Sequence, residues 1–193
     1  LTSSSGTRAS FDFELLDEYA GSRLSGVLAV PVLLIILGLF SSLWVPPLAA
    51  AIWVALAIAA NAAVILVCRR FKQTVTPEKF NARGWTASFV AAETVYGVCW
   101  SMLSLFSLVA GGQNLEVAMF AVVLVGIASN AVSTRTLPAA TVVSTLPASL
   151  TVSANLVLTG GLLNYSLAAV TLGAEVFFVY LARQLPASEF EGV

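Results

Sequence analysis

The sequence of 193 residues contains no histidine, and only a tenth of its residues are charged. The first absence removes the usual haem and zinc ligand and the base of serine–histidine or cysteine–histidine catalysis. The second removes the chain from the soluble globular class, where about a quarter of residues are charged. Cysteine is scarce too: Cys68 and Cys99 sit in apolar segments without CxxC spacing, as small buried hydrophobes do, so neither a disulfide nor a metal framework is expected. No catalytic residue, metal or cofactor follows from this inventory. A net charge of −1 gives no reason to expect nucleic acid.

Apolar residues fill most of the remainder, at 59% of the chain with a mean hydropathy of +0.94. A spanning helix needs about 20 mostly apolar residues. Six windows qualify, at roughly Ser25–Val45, Pro47–Cys68, Trp85–Ala110, Leu115–Thr134, Pro138–Leu158 and Gly161–Ala182. VPP, GGQN, TRTLP and TGG supply turn-like breaks, and no internal repeat is evident. The expected fold is an all-α integral membrane protein, a bundle of six transmembrane helices.

Lysine and arginine set its orientation, because they collect on the cytoplasmic side. Arg8 and Arg23 precede the first window; Arg69, Arg70, Lys72, Lys79 and Arg83 lie between the second and third; Arg135 lies between the fourth and fifth; Arg183 follows the sixth. All nine fall on one face, so both termini are expected in the cytoplasm. Trp85 and Tyr180 at that face, with Trp44 and Tyr165 opposite, fit interfacial belts. Pro31 and Pro147 should kink the first and fifth spans, and the hydroxyls flanking Pro147 turn that helix toward protein. Residues 1–24 read as a linker and an amphipathic juxtamembrane helix, 25–183 as the membrane domain and 184–193 as a tail. In FDFELLDEYAGSRL, Phe11, Leu15 and Leu16 share a face with four acids around it. That composition argues against anionic lipid and for packing on a neighbouring subunit or domain.

Two carboxylates are deeply embedded. With Arg83 and Arg183 as markers, Glu93 lies about 15 Å and Glu175 about 12 Å inward. Asn61 lies at a comparable level and Asn130 somewhat shallower. Glu93, Gly97, Trp100, Ser104 and Ser107 follow 3-4-3 spacing, bordered by Tyr96 and Ser101, which makes a polar and aromatic stripe. An ionised carboxylate at this depth must face the interior, be protonated or have a partner. Three readings stay open: interhelical hydrogen bonding, a pocket for a small amphipathic ligand, and a proton or cation path. The candidate sensing or ligand residues are Glu93, Glu175, Tyr96, Trp100, Asn61 and Asn130, with Glu93 and Glu175 expected to line one site. Glu116 opens the fourth span, where a helix N-terminus favours an acid. No lysine lies within a span, which excludes a retinal Schiff base.

The order of landmarks, FDFELLDEYAGSRLSG, SLWVPP, VCRRF, RGW, AETVYGVCW, TRTLPAA and GAEVFFVYLARQL, resembles the N-terminal six-span module of alphaproteobacterial sensor histidine kinases of the PleC, DivJ and PdhS class. The likeness covers about residues 11–185. It implies a homodimer in the bacterial inner membrane, in contact with lipid, whose last helix leads through a linker to a kinase domain in cis. The kinase itself is not within this chain: the phosphoacceptor histidine is missing, and the pattern departs at PASEFEGV, expected to be an expression remnant with Pro186 breaking the helix. A small transporter or channel with an internal carboxylate site is the alternative. A scaffold that docks an acidic partner on CRRFKQTVTPEKFNARGW is the third.

Overall fold

A computed structural model describes the backbone of residues 3–76, 80–110 and 112–188, and the side chains of 11–76, 80–106 and 112–182. Lys79, Gly111 and residues 189–193 lie outside the described residues, as do the side chains of Arg8, Ser107 and Arg183. Seven helices follow one another: α1 (Ser3–Ser25), α2 (Ala29–Ser41), α3 (Pro47–Thr74), α4 (Ala82–Ala110), α5 (Gln113–Ser133), α6 (Pro138–Thr159) and α7 (Leu162–Ser188). The described residues contain no strand.

Local chemistry explains most boundaries. Pro47 and Pro138 each occupy the first turn of a helix, where a missing N–H costs nothing and φ is already helical. Asn81 caps α4 by accepting a hydrogen bond from the Gly84 amide at 3.2 Å. Gly160, at φ 77°, ends α6 in the left-handed region where a side chain would be strained.

Helices α3 to α7 are each long and apolar enough to cross a membrane. The first expected span differs. Instead of one helix over Ser25–Val45, the chain breaks at 26–28 and bends by 50° between α1 and α2. Pro31 supplies the reason: it has no N–H for the Val27 carbonyl, and its ring crowds that carbonyl. The 13 residues of α2 extend about 20 Å, short of a hydrocarbon core about 30 Å thick. A sixth crossing therefore requires α1 and α2 together. Helix α7 shows the opposite departure, running through Pro186 to Ser188 where a break was expected. A proline so near a helix end disturbs only the last turn.

The packing is inside-out relative to a soluble bundle. Leu28, Leu39, Leu43, Leu158 and Val176 are exposed, whereas Asn61, Glu93, Asn130, Thr141, Thr145 and Glu175 are buried. Helix α6 lies between α4 and α7 and also packs on α5. Its inward side carries Thr141, Ser144, Thr145, Ser149, Ser153 and Asn155, the protein-facing orientation its hydroxyls suggest. Thr151 Oγ1 donates back to the carbonyls of Pro147 and Ala148 near the internal proline.

Helix α1 departs furthest from expectation. It packs on α3, α4 and α5 of its own chain. The buried face is Leu16, Tyr19, Ala20 and Arg23, a 3-4 stripe rotated from the Phe11–Leu15–Leu16 face. Phe13, Tyr19, Phe71, Phe80, Trp85 and Phe89 interlock around it, with ring centroids 4.8 Å apart for Tyr19 and Phe89 and 5.3 Å for Phe71 and Trp85. Asp17 pairs with Lys72 at 2.6 Å and Glu18 with Arg135 at 2.8 Å. Both pairs are well exposed, so each contributes about 1 kcal/mol or less and mainly fixes orientation.

Candidate functional site

Helix α1 delivers Arg23 to Glu93. Both are removed from water, with side-chain exposures of 5% and 0%. Arg23 Nε donates to Glu93 Oε1 at 2.7 Å and Nη2 donates to Oε2 at 2.6 Å, a two-pronged fit of guanidinium to carboxylate. Nη1 donates to Asn130 Oδ1 of α5 at 3.2 Å. Tyr19, one turn earlier, donates its hydroxyl to Glu93 Oε1 at 2.5 Å. The face of Tyr96 lies 5.6 Å from the guanidinium carbon and adds a cation–π contact. Three side chains from α4 and α5 thus converge on one cation, and Tyr19 of α1 holds the carboxylate that answers it.

This arrangement resolves the energetic problem of a buried carboxylate. Each ion alone would carry a desolvation penalty of several kcal/mol, and geometry of this quality is what offsets it. Arg23 is therefore not a marker of the aqueous face but a component of the interior. Losing only the tyrosine hydroxyl should cost about 1.5–3 kcal/mol, as for other hydrogen bonds to charged groups. Tyr19→Phe in detergent-solubilised protein, followed by thermal unfolding, measures this.

Of the sequence candidates, Glu93, Tyr96 and Asn130 come together here. Trp100 borders them, edge-on to Tyr96 at a centroid distance of 6.2 Å, and its ring covers Gly126 of α5. Asn61 is buried in α3, and no hydrogen bond joins it to this group among the described residues.

Glu175 belongs elsewhere. It shares a buried face of α7 with Asn164, Ala168 and Thr171, and its Oε1 accepts a hydrogen bond from Thr145 of α6 at 2.7 Å. Its Oε2 has no hydrogen-bond partner among the described residues. Similar depth does not make one site, because α6 separates the helices that carry the two carboxylates. A short bifunctional reagent should join cysteines placed at Tyr19 and Glu93 and leave cysteines at Glu93 and Glu175 unjoined. The reverse pattern would restore the single-site arrangement. Glu116 is buried as well, and accepts from Asn164 Nδ2 of α7 at 3.0 Å. It is a tie between α5 and α7 in addition to a favourable charge at a helix start.

Arg23 and Tyr19 were not among the sequence candidates. The available signal was the spacing of Leu16, Tyr19, Ala20 and Arg23 on one helical face, combined with an embedded acid in need of a cation.

No family model matches the chain, and no curated protein or solved structure is significantly similar to it.

Proposed function

We propose that the chain is the membrane-embedded signal-input and anchoring module of a sensor histidine kinase, with six spans, both termini in the cytoplasm and a homodimeric assembly in the bacterial inner membrane. The observation that carries this reading is the junction of α1 with the bundle interior. A helix rich in acids, which lies outside the apolar spans over much of its length, is held by Tyr19 and Arg23 to Glu93 and Asn130. Any rearrangement of α4 against α5 must change that attachment. Such a bistable contact is a physical route from bilayer to cytoplasm. Helix α7 gives the output: it continues as one helix from the apolar stretch Leu162–Ala182 to Ser188. Its outward face carries Val176, Phe177 and Tyr180, available to lipid or to a second subunit.

The deciding experiment reads the native frame beyond this chain and measures autophosphorylation of the encoded protein in membrane vesicles. The expected result is a frame that encodes a histidine-bearing helix and an ATP-binding domain, with autophosphorylation altered several-fold by Glu93→Gln at unchanged protein level. A frame without a kinase, or a kinase indifferent to Glu93, overturns the reading. Cysteine accessibility tests the topology: residues at 46, 112 and 160 should label from outside, and residues at 76, 81 and 136 only after permeabilisation.

A small transporter or channel draws on Glu175, whose buried Oε2 lacks a partner among the described residues. Reconstituted into liposomes, the chain should give no proton or cation flux. Flux abolished by Glu175→Gln would establish this second reading instead.

A further inference from the structure

At the end of the bundle where the basic residues gather, a groove of about 510 Å³ runs between α1, the start of α4 and the turn from α5 to α6. Leu15 and Leu16 of α1, Val90 of α4 and Leu137 of the turn give it an apolar floor. Asp12 and Arg83 stand on its opposite walls, α1 and α4. The two do not pair with each other: the ion pairs among the described residues join Arg23, Lys72 and Arg135 to Glu93, Asp17 and Glu18. Thr136 lines the same groove. Asp17, Glu18 and Glu93 each meet a cation directly, whereas Asp12 and Arg83 stand on two sides of an apolar floor without pairing.

We propose that the groove binds the headgroup of a zwitterionic, amine-bearing phospholipid. Arg83 is a donor suited to the phosphate, and Asp12 is an acceptor suited to the primary ammonium. The apolar floor receives the glycerol end of the acyl chains. An anionic headgroup without an amine would meet Asp12 as a like charge. A quaternary ammonium would offer Asp12 no N–H. The groove therefore selects phosphatidylethanolamine over both phosphatidylglycerol and phosphatidylcholine. A second groove, between α3 and α4 at Val45, Trp53 and Phe106, is almost wholly apolar and has no group that would choose among lipids. The headgroup site rests on its own chemistry, independent of the signalling role. It has a consequence for that role: Leu16 of its floor lies one turn before Tyr19, so an occupied groove bears on the helix that holds Arg23.

Native mass spectrometry of the purified chain in micelles doped with the three lipids, matched in acyl chain, tests the proposal. The wild type should retain one phosphatidylethanolamine about tenfold more readily than either other lipid, the discrimination given by one charge-assisted hydrogen bond. Asp12→Asn should remove that preference, Arg83→Gln should weaken retention of all three lipids alike because each carries the phosphate, and Asp12→Lys should shift the preference to phosphatidylglycerol. Both positions are on the surface, and helicity by circular dichroism should stay unchanged. Arg69→Gln, on the exposed end of α3, should keep the wild-type preference. Equal retention of the three lipids, a wild-type preference for phosphatidylglycerol or phosphatidylcholine, or a preference that survives the Asp12→Asn/Arg83→Gln double variant overturns the site.

Discussion

Arg23→Ala should lower the stability of the solubilised protein by about 3–5 kcal/mol, because it leaves Glu93 as an uncompensated charge in the interior. The complementary change Glu93→Leu strands Arg23 and should cost a similar amount. The double variant Arg23→Leu/Glu93→Leu discriminates the mechanism. If the loss in each single variant is the cost of an orphaned ion, then removing both ions should recover most of it, since apolar replacement of a buried pair is often neutral or stabilising. If the two losses add instead, the pair does not act as a unit and the desolvation argument fails. Denaturation in mixed micelles, followed by circular dichroism, measures all three variants. The recovered double variant has a second use. A bundle that folds without the pair but no longer transmits would show that the ion pair is kept for coupling, not for stability.

Gly97→Ala should destabilise the chain by about 1–3 kcal/mol, and Gly97→Leu should prevent folding, although either substitution favours helix. An added Cβ at Gly97 would lie 2.5 Å from the Val143 carbonyl oxygen and 2.9 Å from Ser144 Cα. These obstacles are backbone atoms of α6, so no rotamer change relieves them and the helices must separate. The contact falls opposite the turn of α6 loosened by Pro147, since Val143 is the residue whose carbonyl Pro147 cannot satisfy. Close approach at a small residue is the usual source of cohesion between membrane helices, where apolar burial gives no drive. Gly173 of α7 is the control. A Cβ there meets nothing within 4 Å, so Gly173→Ala should gain up to about 1 kcal/mol of helix propensity. Opposite signs at two helical glycines would separate packing from propensity in a single assay.

Residues near the two embedded acids show how much of the site was legible in the sequence. The 3-4-3 spacing from Glu93 to Ser104 identifies an inward stripe on α4, and the hydroxyls around Pro147 identify α6 as a protein-facing helix; both follow from helical periodicity. The partner of Glu93 does not. Arg23 is 70 residues away, and its place among the cytoplasmic cations made it look solvated. Depth estimated along each helix made Glu93 and Glu175 appear neighbours, yet depth fixes only one of three coordinates. Which faces meet depends on how the helices are rotated and ordered around the bundle, and α6 lies between them.

The sequence by itself determined that this is a helical chain with long apolar segments, which faces of α4 and α6 are polar, and where the turns between the later helices fall. Those are local matters of hydropathy, period and proline or glycine chemistry. Only the tertiary structure decided that α1 closes onto its own bundle, that Arg23 pairs with Glu93, and that Asp12 and Arg83 face one groove unpaired. These outcomes depend on which distant surfaces come into contact. In a chain whose interior is polar, that choice rests on a few directional pairs that no periodicity records.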